Sequence, residues 1–328
     1  MYYEDFSELL RDKLQEIVDD KLDDGKVVIR NVVKNNSVRR RAISIVRKEE
    51  KATPTIYIKG YYDAYKDGRD IDDISEEVFD VYLAGLNRFK QEIDIDEFSD
   101  FEKIKDRIYF KLVNYKMNEA LLEEIPYEEY LDLAEVYYIL VSENDDSSAT
   151  ALIYNFHMEH WGVELETIKK CAYENSIKEL EPTIEPIEDV VMDMIIDNYM
   201  DAEGNLVTED TVYDGMDMDS VQEMVREEVE KLKPDNAVSM YVLSNKKKYF
   251  GAACIRYPGV LRDFANQQNE NVYVIPSSVH EVILVPHSEG NRLDLENVLQ
   301  DVNRNEMDQM EVLSDHVYLF DRENEEII

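Results

Sequence analysis

Histidine is scarce in this chain, five in 328 residues, and three of the five stand beside other groups able to do chemistry. Ser277, Ser278, His280 and Glu281 crowd into the stretch NVYVIPSSVHEVILVPHSEG, residues 271–290. A hydroxyl beside an imidazole and a carboxylate is the composition of a nucleophile, a general base and an orienting group. Ser278 and His280 are therefore candidate catalytic residues of a His-based hydrolase. Strand geometry works against a local triad. In an extended chain Ser278 and His280 point the same way, with Cα atoms about 6.6 Å apart and side chains parallel rather than converging. Glu281 projects to the opposite face from His280. A working triad here needs partners from elsewhere in the fold.

His157, His160 and Glu164 form the second constellation, in and just after NFHMEHWG. On a continuous helix these positions share one face, and two imidazoles with a carboxylate suit zinc in a metal-dependent hydrolase. Trp161-Gly162 interrupts such a helix, and the glutamate is not placed as in HExxH. The rest of the chain has no Walker loop, GxGxxG, zinc-ribbon spacing or GxSxG, so no cofactor is implied.

Two further groups suit binding. Tyr57, Tyr61 and Tyr65, with Tyr62 between them, could line an aromatic patch; Tyr61 and Tyr65 share a helical face. Residues 26–51 carry nine Lys or Arg against Glu49 and Glu50, and Arg39 and Arg41 lie in that basic island. Consecutive arginines alternate faces in a strand, so Arg39-Arg40-Arg41 gives no uniform phosphate-binding surface. Nucleic-acid binding through this hairpin is one alternative reading, but a formal net charge of −38 repels phosphate backbones and anionic headgroups at long range. The expectation is a non-enzymatic module, protein-binding or regulatory, that meets a protein partner through its acidic surface or its tyrosines, with no nucleic-acid and no membrane role.

The elements that must position these groups follow from hydrophobic period. Phe6, Leu9, Leu10, Leu14, Ile17 and Val18 make one stripe of a helix over residues 4–22. Strands are expected over 26–33 and 38–47, a short one over 55–58, and a long helix from Ile71 with acids in its first turn. A helix over 96–106, strands over 108–115, 130–142 and 149–154, and a helix over 164–177 follow. Residues 190–200 and 220–232 read as helical, and 201–218 as a disordered loop. Residues 237–243 and 250–256 flank SNKKK as a hairpin, and Pro258 opens a helix in its first turn. Val282–Val285 reads as a buried central strand. Asn291 caps a helix, and 316–320 is the last strand.

Paired strands interrupted by helices predict an α+β fold of antiparallel hairpins packed with amphipathic helices, helix-rich at the N-terminal end and β-rich at the C-terminal end. Charge divides the chain into an N-terminal α+β domain over 1–180, an acidic and partly disordered connector over 181–236, and a C-terminal α+β domain over 237–328 packed on the first. The connector holds 18 acids against Arg226, Lys231 and Lys233. The start, MYYEDFSELL, lacks the basic and apolar regions of a signal peptide. Cys171, in a helical pattern, and Cys254, in a strand pattern, are expected to be buried thiols, which points to a reducing cytoplasm.

Six segments taken in order resemble one known family. They are TPTIYIKGYYDAYKDG, DFEKIKDRIYFKLVNY, NFHMEHWG, MYVLSNKKKYFGAACIRYPGVL, IPSSVHEVILVP and LSDHVYLFDRE. Together they resemble the bacterial domain of unknown function 5688, over nearly the whole chain except 201–218. The resemblance implies an intracellular bacterial protein whose two halves belong together. It supplies no activity and no catalytic residue.

Overall fold

In a computed structural model the chain is a mixed α+β protein, and every strand pair whose register is defined runs antiparallel. The structure describes residues 1–48, 50, 53–92, 95–144, 147–199, 206–208, 211–213, 223, 225–226, 229 and 238–328. Two compact units divide it. One comprises 1–109, 116–127 and 137–172; the other comprises 110–115, 128–136 and 173–328.

The first unit is built on the stripe foreseen in helix α1 (Tyr3–Lys21). Phe6, Leu10, Leu14 and Val18, each one turn after the last, are all buried. They meet Ile74, Val78, Phe79, Tyr82 and Leu86 of helix α3 (Ile71–Glu92) and Ile43, Ile45 and Ile56 of a three-stranded sheet. That sheet runs β1 (Lys26–Val33), β2 (Arg39–Val46), β3 (Ile56–Tyr57). As its middle strand, β2 is covered on both faces, and Ala42 through Ile45 are all buried. Full burial of an aliphatic side chain stabilises by roughly 1.5–3 kcal/mol, so this stripe and its sheet partners hold the unit together.

The β1–β2 turn is tied down by a reciprocal amide pair. Asn36 sits in the left-handed region (φ 58°) and is buried; its N–H donates to Asn118 Oδ1 (2.8 Å), and Asn118 Nδ2 donates to Asn36 Oδ1 (2.8 Å). Asparagine tolerates this backbone conformation better than most residues.

The helix expected over 96–106 is broken. Ile95–Ser99 and Lys105–Arg107 are 3-10 turns either side of a single α-turn, α4 (Phe101–Ile104). Asp100 causes the break: its side chain accepts from the Glu102 N–H (3.1 Å), a capping bond that starts a new helix rather than continuing one.

The second unit carries a six-stranded sheet in the order β15 (Glu326–Ile327), β14 (Tyr318–Asp321), β12 (Val272–Ile275), β13 (Val282–Pro286), β11 (Tyr241–Asn245), β8 (Pro182–Pro186). Val282–Val285 is internal to the sheet, as its unbroken apolar run implies. Helix α10 (Arg292–Asn305), capped by the Asn291 side chain, lays Leu299 on Tyr273, Ile275 and Val285. The edge strand β8 lies in the acidic stretch, where the prolines that begin and end it mask its strand pattern. Helix α8 (Ile187–Tyr199) follows it directly.

Four expectations from the sequence differ from the structure. Residues 250–256 do not pair with β11; Gly251–Arg256 form a 3-10 segment. Both edges of β11 are already taken, by β13 and β8, so a hairpin partner has no place to bond. Gly251 lets this segment press onto β11: a Cβ there would meet Ser244 Oγ at 2.2 Å, His280 O at 2.6 Å and Asn245 N at 2.8 Å. Cys254 is therefore buried in a 3-10 turn rather than in a strand, and Cys171 is only half-buried; neither is in a disulfide. Pro258 precedes helix α9 (Val260–Gln268) instead of entering its first turn, since Gly259 takes the cap position with φ 83°. In the stretch expected to be disordered, β9 (Leu206–Thr208) and β10 (Thr211–Tyr213) pair antiparallel, and its other residues lie outside the described ones. Of the helix expected over 220–232, residues 223, 225–226 and 229 are described and helical; Val225 packs on Met192 and Ile196 of α8.

Candidate functional site

Ser278 and His280 meet through the backbone, not as nucleophile and base. Ser278 Oγ accepts from the His280 N–H (3.0 Å), closing a turn, and is buried. The imidazole is occupied elsewhere: Nδ1 accepts from the Phe250 N–H (3.2 Å), and the ring stacks on Phe250 at 5.5 Å and 5°. Burial holds His280 below the ordinary imidazole range; Glu311 opposes this and Lys111 adds to it. Glu281 is pushed up by burial, against Lys248 and with Glu311. Lys111 Nζ lies 4.0 Å from the Phe250 ring centroid. Lys248 and Phe250 both have positive φ, 51° and 52°, which for such side chains costs roughly 1–2 kcal/mol each. This corner of the second unit is where titratable groups and strained backbone coincide.

His157 and His160 lie in the first unit, on the short helix α6 (Asn155–Trp161), and Gly162 ends it in the left-handed region at φ 66°. Glu164 lies past that end, so the three side chains do not share one helix. His157 closes a capping box: its Nδ1 accepts from the Tyr154 N–H (3.0 Å). The ring proton is thereby placed on Nε2. Burial lowers the His157 pKa, with His160 adding to the effect. Among the described residues, no three His, Cys, Asp or Glu side chains come together as metal ligands would.

The tyrosines pack as a wall of the first core. Tyr62 meets Tyr3 (5.1 Å) and Phe6 (5.4 Å), Tyr65 meets Phe6 (5.2 Å), and Tyr61 packs on the same cluster, all from helix α2 (Lys59–Lys66). Tyr57 lies under Lys34 at 4.8 Å. In the basic hairpin Arg41 reaches Glu8 of α1 (3.1 Å), and Arg47 reaches Asp24 (2.9 Å) and Glu50 (3.1 Å). The compensating acids thus come from α1 and nearby loops. Arg39 is exposed on β2.

Two arrangements escaped the sequence reading. One is a buried ionic knot in the second unit. Glu135, on β6 (Leu133–Asn144), is fully buried; its Oε2 accepts from Tyr173 Oη (2.7 Å) and from Arg256 Nε (3.0 Å). The Arg256 guanidinium lies 4.2 Å from the Tyr130 ring centroid. Burial first, and the Glu135 charge second, push the Tyr173 hydroxyl far above its usual range, so it remains a donor. The signal was available: Glu135 is a lone acid within LAEVYYILV, and Arg256 a lone cation after GAACI. A charge inside an apolar run asks for a buried partner.

The other is a ladder of rings on α6. Phe101 and Trp161 lie 6.0 Å apart, Trp161 and His157 5.3 Å, His157 and Phe156 4.1 Å, and Phe156 and Tyr154 5.6 Å. Trp161 is anchored by its Nε1–H to the Phe98 carbonyl (2.8 Å). Phe156 ends 60% exposed, although phenylalanine has no polar group to justify it. A shallow groove of about 440 Å³ also opens in the second unit, where Pro182, Ile184 and Pro186 of β8 face Tyr241 and Phe264.

No helix among the described residues is long and apolar enough to cross a membrane. No curated protein and no solved structure matches the chain. A family model does match, over residues 3–322, and it spans both units and the acidic stretch between 181 and 236. The chain belongs to the family of unknown function DUF5688.

Proposed function

We propose that this protein is a non-enzymatic binding module that engages a basic partner protein through its acidic surface. The observation that carries the reading is charge: 74 carboxylates face 36 Lys and Arg, leaving a net −38 that the chain does not neutralise itself. Much of the cationic charge is spent internally. Arg41, Arg47 and Arg256 are engaged by carboxylates of this chain, as are Lys13, Lys21 and Lys246 on the surface. The uncompensated field steers cations toward the protein and favours association over about a Debye length, roughly 10 Å at 0.1 M salt. Two further observations support binding over catalysis: His157 and His280 each spend a ring nitrogen on a backbone N–H.

The test is affinity isolation with the full chain at low and high salt, beside an unrelated protein of matched net charge. A stoichiometric basic partner held at low salt, released at high salt and absent from the control is the expected result. Equal recovery on both baits would reduce the reading to general polyanion behaviour and overturn it.

A further inference from the structure

The ring ladder on α6 has no place in the core, and three features say what it could receive. First, its outer rung is exposed: Phe156 keeps 60% of its surface in solvent. Second, the ladder is rigid. His157 is fixed by the capping bond and Trp161 by its bond to the Phe98 carbonyl, so little order remains to be lost on binding. Third, its rim is acidic. Glu159 follows Phe156 by three residues, on the same helix face, and is exposed. Glu123 and Glu124 are exposed and adjoin the start of α6, where their carbonyls accept from Asn155 Nδ2 (3.3 Å) and N (3.0 Å). Glu164 is exposed just past its end.

Aromatic faces bordered by carboxylates match the chemistry of a guanidinium: the rings take its flat cation, and the acids take its N–H groups. A neutral apolar partner would leave the carboxylates desolvated without a counter-charge, and a phosphate would be repelled.

We infer that the Tyr154–Phe156–His157–Trp161 face of the first unit is a docking surface for an arginine-bearing segment of a partner protein. This rests on the acidic-module reading above and adds the place and the side chain recognised.

Trp161 is the single tryptophan of the chain, so its emission reports on this face alone. The experiment titrates the full chain at low salt with a dye-labelled oligo-arginine peptide, following peptide anisotropy and Trp161 emission together. Both signals should saturate at the same concentration. Phe156→Ala should weaken binding about tenfold, the scale of losing one interface anchor. Phe156→Tyr should bind as the parent does, and Glu159→Gln should weaken binding about threefold. Oligo-lysine should bind more weakly than oligo-arginine. Circular dichroism of each variant reports whether it has folded. A rise in anisotropy with unchanged Trp161 emission, and with Phe156→Ala binding like the parent, would remove this surface while leaving the acidic-module reading intact. No anisotropy change at all would remove both. An emission change with protein concentration alone, matched by a dimer on size exclusion, would place a second copy on the face and overturn the assignment.

Discussion

Replacing Arg256 by methionine should be among the most damaging single changes outside the apolar cores. It keeps the length and apolar stem of the side chain and removes the cation that faces a fully buried carboxylate, Glu135. Breaking a buried pair in this way costs about 3–5 kcal/mol, because the remaining charge is stranded in a low dielectric. Arg256 keeps 21% of its side-chain exposure, so water can approach the vacated position, and the lower end, about 3 kcal/mol, is expected. A loss of that size lowers the melting temperature by about 6–12 °C in units of this size. The decisive assay is a double-mutant cycle by urea denaturation, followed by far-ultraviolet circular dichroism. On a Glu135→Gln background the carboxylate charge is gone, and Arg256→Met should then cost only about 1 kcal/mol, mostly its stacking on Tyr130. A cost below about 1 kcal/mol in the parent, or equal costs on both backgrounds, would refute the claim that the pair is coupled and desolvated.

Gly251→Ala forces a Cβ against the β11 backbone and the His280 carbonyl; a loss of about 1–3 kcal/mol by the same denaturation assay is expected. Asn118→Ala strips both reciprocal bonds from Asn36 and should cost about 1–3 kcal/mol, with faster hydrogen exchange confined to the β1–β2 turn. His157 and His280 have folded pKa values held below the unfolded value of about 6.5. Their contribution is therefore complete above that value and is lost as pH falls through the folded values. Thermal melts of His280→Asn should decline less than those of the parent between about pH 7 and 5. Glu281 has the opposite sign: its folded pKa is raised by burial, so its contribution is complete below about 4.3 and is lost as pH rises through the folded value. Glu281→Gln should accordingly gain relative to the parent at neutral pH; a variant that gained only in acid would contradict the assigned direction.

Periodicity made the α1 stripe, the β1–β2 hairpin and the internal position of Val282–Val285 legible, because each states its environment in consecutive residues. What escaped depended on distant partners. Residues 250–256 read as a strand from composition, yet β8 and β13 had already filled both edges of β11, which only the assembled sheet reveals. The candidate sites divide in the same way. Local geometry was enough to doubt a Ser278–His280 pair and to see that Gly162 separates His160 from Glu164. That His157 would accept from the Tyr154 N–H, or that Glu135 would find Arg256 more than a hundred positions away, needed the fold.

The outer strand β8 limits how a partner strand could join this sheet. The Ile187 N–H donates to the Met240 carbonyl (2.9 Å), and the Lys246 N–H donates to the Glu181 carbonyl (3.0 Å). Odd-numbered residues of β8 therefore turn their backbone to β11, and Pro182, Ile184 and Pro186 turn theirs outward. Two of those three outward positions are prolines, which have no N–H, so Ile184 alone can donate to an incoming strand. The β8 margin of the sheet is therefore poorly suited to growth by strand addition. Recognition by backbone zippering along β8, and the edge-to-edge self-association that comes with it, is thus disfavoured.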